Sequence, residues 1–197
     1  GVGVSATAGC LMNSEGVLSA GMTTSHGIGL QVTLDADGEL TSSYQGQSSR
    51  AKLPEVPECV SRAVHWAQVT QNPLRLDSEA HDAPVLLTSE GFSPLFSMVV
   101  PPAMTGEKMV RKESFWSERM NEQVINPALS IRDNGVLEGG MSSGSRDAEG
   151  VPRRQQTLVE DGRLTNMLWS TRDTAQQVAE GRIDAAQSTG SASSGGH

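Results

Sequence analysis

Two carboxylates and two guanidinium groups lie close together in the segment D-A-E-G-V-P-R-R. Asp147 and Glu149 are two positions apart, so they would share a face on a strand and could converge on one cation on a loop. Arg153 and Arg154 follow closely enough to neutralise them. General acid–base catalysis would need the two carboxylates to lie in different environments. Two interpretations stay open: an ion-pair network that stabilises the fold, and a loop that lines a substrate cavity.

Other residue types that could carry chemistry are not grouped. No two of the four histidines lie at i, i+3 or i, i+4, the spacing at which helical zinc ligands share a face. They are His26, His65, His81 and His197. Cys59 lies six residues before His65 and would point from a different side of a helix. The sequence therefore predicts no catalytic residue and no metal ligand.

The residues that follow the basic pair predict a hairpin and then a helix. Apolar residues flank the triplet Glu160-Asp161-Gly162, and its glycine stands where a tight turn often needs a positive φ. We therefore expect an antiparallel hairpin over residues 155–168. Arg172-Asp173-Thr174-Ala175 then begins a helix.

The first fifty residues predict an antiparallel sheet. Ile28–Leu34 alternates apolar and polar residues with the period of a half-buried strand. Asp35–Gly38 supplies turn chemistry, and Leu40–Tyr44 can return as the partner strand. Asn13–Gly16 indicates an earlier turn of the same meander.

The middle of the chain changes to a helical period. An apolar stripe after Glu55 predicts a helix that ends near Gln71-Asn72-Pro73, because proline restricts the residue before it. The stripe consists of Val56, Val60, Ala63, Val64 and Ala67. Pro84–Thr88 is typical of a short buried strand, and Gly91–Val100 of a short helix closed by Pro101-Pro102.

The last third contains two segments of loop composition. Gly135–Gly144 predicts a glycine-rich loop. Residues 184–197 are small and polar with little means to bury surface, which predicts a flexible tail.

Composition excludes some classes of function. A formal net charge of −8 argues against nucleic-acid binding, which needs a basic face. No apolar run approaches the ~20 residues of a membrane helix. Cys10 and Cys59 favour a reduced, intracellular protein, although a disulfide between them stays open. Because the chain begins without methionine, we expect a processed product or a piece of a longer chain.

Several of these segments together resemble the TldD/PmbA family, known as modulators of DNA gyrase. Its members carry D-x-E-G-V-P-x-R-R, then L-I-E-D-G and a T-A pair, which match residues 147–175 here. Asn13–Gly16 resembles the family's N-S-x-G turn, and Ser114-Phe115 its Ser-Phe pair. Val124–Asp133 is similar to a family strand that ends in aspartate, so the resemblance implies a strand there. Met120-Asn121-Glu122 stands where the family has a glycine.

The resemblance implies an α+β fold, a β-rich domain of antiparallel sheets with a few helices like the family's C-terminal domain. It would occupy residues 1–183, followed by the tail at 184–197. Family members are cytoplasmic proteins in which a zinc metallopeptidase subunit pairs with a PmbA-type subunit to proteolyse unfolded peptides. The zinc-binding motif H-E-x-x-x-H does not occur in this chain, which therefore resembles the PmbA-type subunit.

The resemblance also sets the expected partners and the open alternatives. The partner would be a TldD-like zinc-bearing subunit or a second copy of this chain, with zinc only in the partner. Asp147, Glu149, Arg153 and Arg154 would line the peptide cavity. One alternative is an active zinc metallopeptidase whose motif lies outside this chain. Another is an interaction domain with no role in proteolysis.

Overall fold

The structure, a computed structural model, describes residues 1–36, 38–51, 55–71, 84–184 and 186–192. The sequence predicts one domain over residues 1–183, whereas the backbone contacts divide the chain into two compact units. The first unit comprises Gly1–Gly9, Gly21–Val85 and Gly139–Met141. The second comprises Cys10–Ala20, Leu86–Glu138 and Ser142–His197.

Most of a three-stranded antiparallel sheet of order β1-β2-β3 belongs to the first unit, whereas the end of β1, the turn after it and the start of β2 lie within Cys10–Ala20 of the second unit. The strands are β1 (Val2–Met12), β2 (Leu18–Ala36) and β3 (Glu39–Ser49). The β2–β3 register runs from His26 opposite Ser49 to Ala36 opposite Glu39, which confirms the predicted hairpin. The predicted turn at Asn13–Gly16 is also confirmed, because the Asn13 side chain accepts from the amides of Glu15 and Val17.

Helix α1 (Val56–Val69) packs on strand β3. Its buried residues are Cys59, Ala63 and Ala67, spaced by four positions, so small side chains allow a close approach to the sheet. The predicted stripe is wrong at its start. Val56 and Val60 are 51% and 41% exposed, because the face that meets β3 is turned toward Cys59.

The second unit combines helices with a second three-stranded sheet of order β4-β5-β6. Its elements are α2 (Ser89–Ala103), α3 (Gly106–Val110), β4 (Ile131–Asn134), β5 (Gln155–Glu160), β6 (Arg163–Leu164) and α4 (Thr171–Ala179). Seven buried apolar side chains form its core: Met104, Met109, Trp116, Leu158, Val159, Leu164 and Leu168. Antiparallel sheets with a few helices confirm the predicted α+β class.

The prediction of a buried strand over Pro84–Thr88 is wrong. The segment has no regular structure, and Val85 and Leu86 are 80% and 94% exposed. An apolar run becomes a strand only where a neighbouring strand can take its backbone hydrogen bonds. Thr88 instead caps α2, because its hydroxyl oxygen accepts from the amide of Gly91 at 3.3 Å.

Helix α2 does not stop at the proline pair as predicted. It begins at Ser89 and continues to Ala103, with Pro101 and Pro102 in its last turn. A proline removes one helical hydrogen bond and frees a carbonyl oxygen four residues earlier. Met98, four residues before Pro102, is 69% exposed, so the lost hydrogen bond lies in a solvent-exposed stretch of the helix.

The strand predicted over Val124–Asp133 is much shorter. Only Ile131–Asn134 pairs with β5, because the backbone groups of the preceding residues make other hydrogen bonds. The amides of Val124 and Ile125 both donate to the carbonyl oxygen of Gly162. Asn126 begins a turn, in which its carbonyl oxygen accepts from the amide of Leu129.

Residues 186–192, part of the predicted flexible tail, are held against the second unit. Thr189 and Ala192 are each 3% exposed. The amide of Thr189 donates to the carbonyl oxygen of Trp169 at 2.9 Å, and the amide of Trp169 donates to the Thr189 hydroxyl at 3.0 Å. Small polar residues form this contact through hydrogen bonds, which a composition-based prediction does not detect. Residues 193–197 lie outside the described residues.

No helix in the described part of the chain is long and apolar enough to cross a membrane.

Candidate functional site

Asp147 is the centre of the candidate site and is 3% exposed. Its Oδ1 accepts from the amides of Glu149 and Val151 at 3.0 and 2.9 Å. Its Oδ2 accepts from the amide of Ala192 at 3.1 Å, 45 residues further along the chain. A carboxylate buried in this way is stabilised by charge-assisted hydrogen bonds. Asp147 therefore closes its own loop and ties the segment around Ala192 to it.

Glu149 binds the start of helix α4. Its Oε2 accepts from the amide of Thr171 at 2.6 Å and its Oε1 from the amide of Arg172 at 3.1 Å. Ser170 caps the same helix, because its hydroxyl oxygen accepts from the amide of Asp173 at 2.9 Å. The first amides of a helix lack partners within the helix, and a negative charge there is stabilising. Glu149 thus fixes α4 to the acidic loop.

The two arginines bind carbonyl oxygens. Arg153 donates from Nε to the carbonyl oxygen of Arg146 at 3.0 Å, and its side chain packs over Gly135. Arg154 donates from Nη2 to the carbonyl oxygen of Ser188 at 2.8 Å. In the described ranges neither arginine pairs with Asp147 or Glu149. The ion-pair network considered from the sequence is therefore wrong in its partners, because backbone amides occupy the carboxylates.

A second polar cluster, which was not predicted from the sequence, lies beside this loop. The Oδ2 atom of Asp133 accepts from Gln156 Nε2 at 3.0 Å and from the Ser191 hydroxyl. Arg146 donates from Nη1 to the carbonyl oxygen of Gly150 at 2.6 Å. In the sequence, the only indication of this cluster was Asp133, which stands at the end of an apolar run. Ser191 lies in a segment whose composition suggested a tail.

The described residues contain no group of three or more histidine, cysteine, aspartate or glutamate side chains that could hold a metal ion. His81 lies outside the described residues. Both oxygens of Asp147 and both of Glu149 already accept hydrogen bonds from backbone amides. The arrangement positions two backbone segments, because each carboxylate oxygen accepts at least one hydrogen bond from the backbone.

A charged cluster lies at the far end of α4. Glu180 faces Arg111 at 3.7 Å and Arg182 at 3.0 Å, and Arg111 also pairs with Glu107 at 3.3 Å. The side-chain hydrogen bond from Gln176 lowers the pKa of Glu180, and the two arginines lower it further. Glu180 is exposed, and Arg111 and Glu107 are half-buried, so these surface pairs contribute little to stability.

The separate partners of Glu149 and Arg154 predict additive effects. Glu149→Gln should lower the free energy of unfolding by about 1 kcal/mol, because the charge at the start of α4 is lost. Arg154→Gln should cost about 0.5 kcal/mol through its bond to Ser188. Because the two side chains share no partner, thermal melting of the double variant should give the sum to within about 0.5 kcal/mol. A double variant that costs clearly less than the sum would restore the ion-pair interpretation.

Comparison with known proteins places this site in a family. A family model described as the PmbA/TldA metallopeptidase C-terminal domain matches residues 80–197, more than half of the chain. The chain belongs to the PmbA/TldD family. The loop at Asp147, the β5–β6 hairpin and the start of α4 all lie within the matched PmbA/TldD domain. The resemblance read from residues 147–175 is thereby confirmed.

Curated relatives extend the similarity to both branches of the PmbA/TldD family. The chain is 28% identical over 185 residues to an uncharacterized protein of Methanocaldococcus jannaschii, covering 94% of this chain and 41% of that protein. It is 27% identical over 158 residues to the metalloprotease PmbA of Escherichia coli O157:H7, covering 79% and 34%. It is also 27% identical over 166 residues to a metalloprotease TldD homolog of Haemophilus influenzae, covering 80% and 34%.

Solved structures share the fold of this PmbA/TldD chain. TldE from Thermococcus kodakarensis superposes with a TM-score of 0.76 at 20% identity, covering 99% of this chain and 43% of that one. A Thermotoga maritima protein named for modulation of a DNA gyrase gives a TM-score of 0.75 at 23% identity, covering 95% and 41%. The chain thus spans about a third to two fifths of the length of its curated and solved relatives.

Proposed function

We propose that this chain is the architectural domain of a PmbA-type subunit, which shapes a peptide-processing chamber and leaves the metal chemistry to a TldD-type partner. One observation carries the proposal. Every carboxylate oxygen of Asp147 and Glu149 accepts a hydrogen bond from a backbone amide of the same chain. Carboxylates used in this way hold the scaffold together. This structural use of both carboxylates supports an architectural role for the loop.

The names of the relatives support peptide hydrolysis as the wider activity. The Escherichia coli and Haemophilus influenzae relatives are both named metalloproteases. In a metallopeptidase a bound metal would supply Lewis-acid activation of the scissile carbonyl and of water. In our proposal those steps belong to the TldD-type partner subunit, in a heterodimer in the cytoplasm. The residues of this chain orient segments that enclose the substrate.

The first unit is suited to holding extended peptides. Strand β1 lies at the edge of its sheet, and Val2 and Val4 are 81% and 82% exposed. An extended peptide can add to such an edge through main-chain hydrogen bonds, a mode that accepts many sequences. Unfolded peptides are therefore the proposed substrate. Asp147, Glu149, Arg153 and Arg154 border the chamber through their backbone segments in this proposal.

Reconstitution tests the assignment. The full-length protein that contains this chain is mixed with a TldD-type subunit from the same source, and cleavage of an unfolded peptide is followed by mass spectrometry. We expect no cleavage by the full-length protein alone, cleavage by the mixture, and loss of that cleavage when a chelator removes the partner's metal. Cleavage by the full-length protein alone would contradict the assignment.

A second candidate is an active metallopeptidase whose zinc motif lies outside these residues. The TldD homolog of Haemophilus influenzae matches this chain at the same 27% identity as the PmbA of Escherichia coli. The matched part is only 34% of either relative. In this case the full-length protein would cleave the peptide without a partner, so the same reconstitution separates the two candidates.

A further inference from the structure

An apolar cleft lies in the second unit, apart from the acidic loop. It measures about 590 Å³ and lies between helix α2 and the segment that leads into β4. Helix α2 contributes Phe92, Leu95 and Phe96, and the opposite wall contains Trp116, Leu129 and Ile131. Clefts of 300–1,000 Å³ with aromatic and aliphatic walls are the usual binding sites for organic groups.

The walls of the cleft are unusually exposed for apolar side chains. Phe92 is 48% exposed, Leu95 49% and Leu129 55%. Contiguous exposed apolar surface on a folded protein marks a site of interaction. The Phe92 and Phe96 rings lie 5.5 Å apart and tilted by 36°, so they form one aromatic wall.

One cationic group stands among the residues that line the cleft. The guanidinium of Arg132 has no carboxylate partner within the described ranges of the chain. The neighbouring Ser130 hydroxyl is already used, since it accepts from the amide of Asp161 at 3.0 Å. A ligand that complements this cleft therefore combines an apolar group with a negative charge.

We propose that the cleft binds a polypeptide segment in which a large apolar side chain is followed by an acidic residue. This deepens and rests on the proposed function, because it gives a chamber for unfolded peptides a preference among them. The apolar side chain enters between α2 and Leu129, and the carboxylate meets Arg132. Aromatic-lined grooves dock peptide side chains in this way, and a buried apolar anchor supplies most of the affinity.

Titration calorimetry with blocked tetrapeptides tests the preference directly. Acetyl-Gly-Phe-Asp-Gly-amide should bind the full-length protein about tenfold more tightly than acetyl-Gly-Phe-Lys-Gly-amide or acetyl-Gly-Ser-Asp-Gly-amide. Arg132→Glu should reverse the order of the first two peptides. Leu95→Ser should weaken the Phe-Asp peptide about tenfold. Met98→Ser is the matched control, because Met98 is on the same helix but 69% exposed and outside the cleft.

Several results would overturn the proposal. One is equal binding of the Asp and Lys peptides by the wild-type protein. Another is no binding of the Phe-Asp peptide at millimolar concentration. A third is binding of decanoate without binding of the Phe-Asp peptide. A dimer in light scattering that Leu95→Ser dissociates would assign the cleft to a second copy of the chain. Wild-type titrations decide the matter even if a variant fails to fold. Binding is read without cleavage, so lost preference with retained proteolysis refutes this proposal alone.

Discussion

Replacement of Gly162 by alanine should lower the free energy of unfolding by about 3 kcal/mol. Asp161 and Gly162 have φ values of +45° and +77°, which is the backbone of a two-residue type I′ hairpin turn between β5 and β6. A Cβ on Gly162 would lie 1.9 Å from Gln123 Nε2 and 2.5 Å from the carbonyl oxygen of Ile125. The left-handed backbone contributes ~1 kcal/mol and the steric conflict about 2 kcal/mol more.

Gly181→Ala is the matched control for this prediction. Gly181 also has a positive φ, +68°, but nothing lies within 4 Å of its would-be Cβ. Only the conformational cost of ~1 kcal/mol should appear there. Denaturant unfolding of both variants isolates the steric part. Equal losses at the two positions would show that residues 123–126 do not pack against the turn.

Replacement of Asp147 by alanine should cost about 3 kcal/mol, because it removes the acceptor from three backbone amides at once. The Asp147 side chain is nearly fully buried, so water cannot readily replace the lost bonds. Asp147→Asn keeps one carbonyl oxygen and should cost about half as much. Thermal unfolding measures both variants.

Asp184→Ala serves as the control for charge removal. Asp184 is exposed and should change stability by less than about 0.5 kcal/mol. The connection between Asp147 and Ala192 adds a local signature. Hydrogen exchange at the amide of Ala192 should accelerate in Asp147→Ala beyond the change in global stability. Unchanged melting of Asp147→Ala would contradict the structural role assigned to the carboxylate.

Local sequence signals were sufficient where one turn or one period determines the structure. The hairpin at Asp35–Gly38 and the turn at Glu160–Gly162 followed from turn chemistry, and helix α1 followed from its apolar period. The strand predicted over Pro84–Thr88 does not form, because composition does not show whether a partner strand exists. Helix α2 continues through Pro101 and Pro102, because this part of the helix is exposed to solvent and the lost hydrogen bonds therefore cost little.

The sequence drew attention to the residues of the acidic loop but did not identify the groups that bind them. Asp147 and Glu149 stood out by type and spacing, and two nearby arginines suggested charge neutralisation. In the structure the carboxylates accept hydrogen bonds from the backbone amides of Ala192, Thr171 and Arg172 instead. Those partners lie 22 to 45 residues away, so only the tertiary fold brings them together. Every residue except proline has a backbone N–H, so no motif identifies such a donor.

The zinc content of the purified full-length protein tests the central claim most directly. The claim is that the polar residues of this domain build a scaffold and that the catalytic metal belongs to another subunit. After dialysis against buffer without chelator, elemental analysis should find no stoichiometric zinc in the full-length protein alone. The TldD-type partner, treated in the same way, should retain about one zinc per chain. About one zinc per chain in the full-length protein alone would contradict the account.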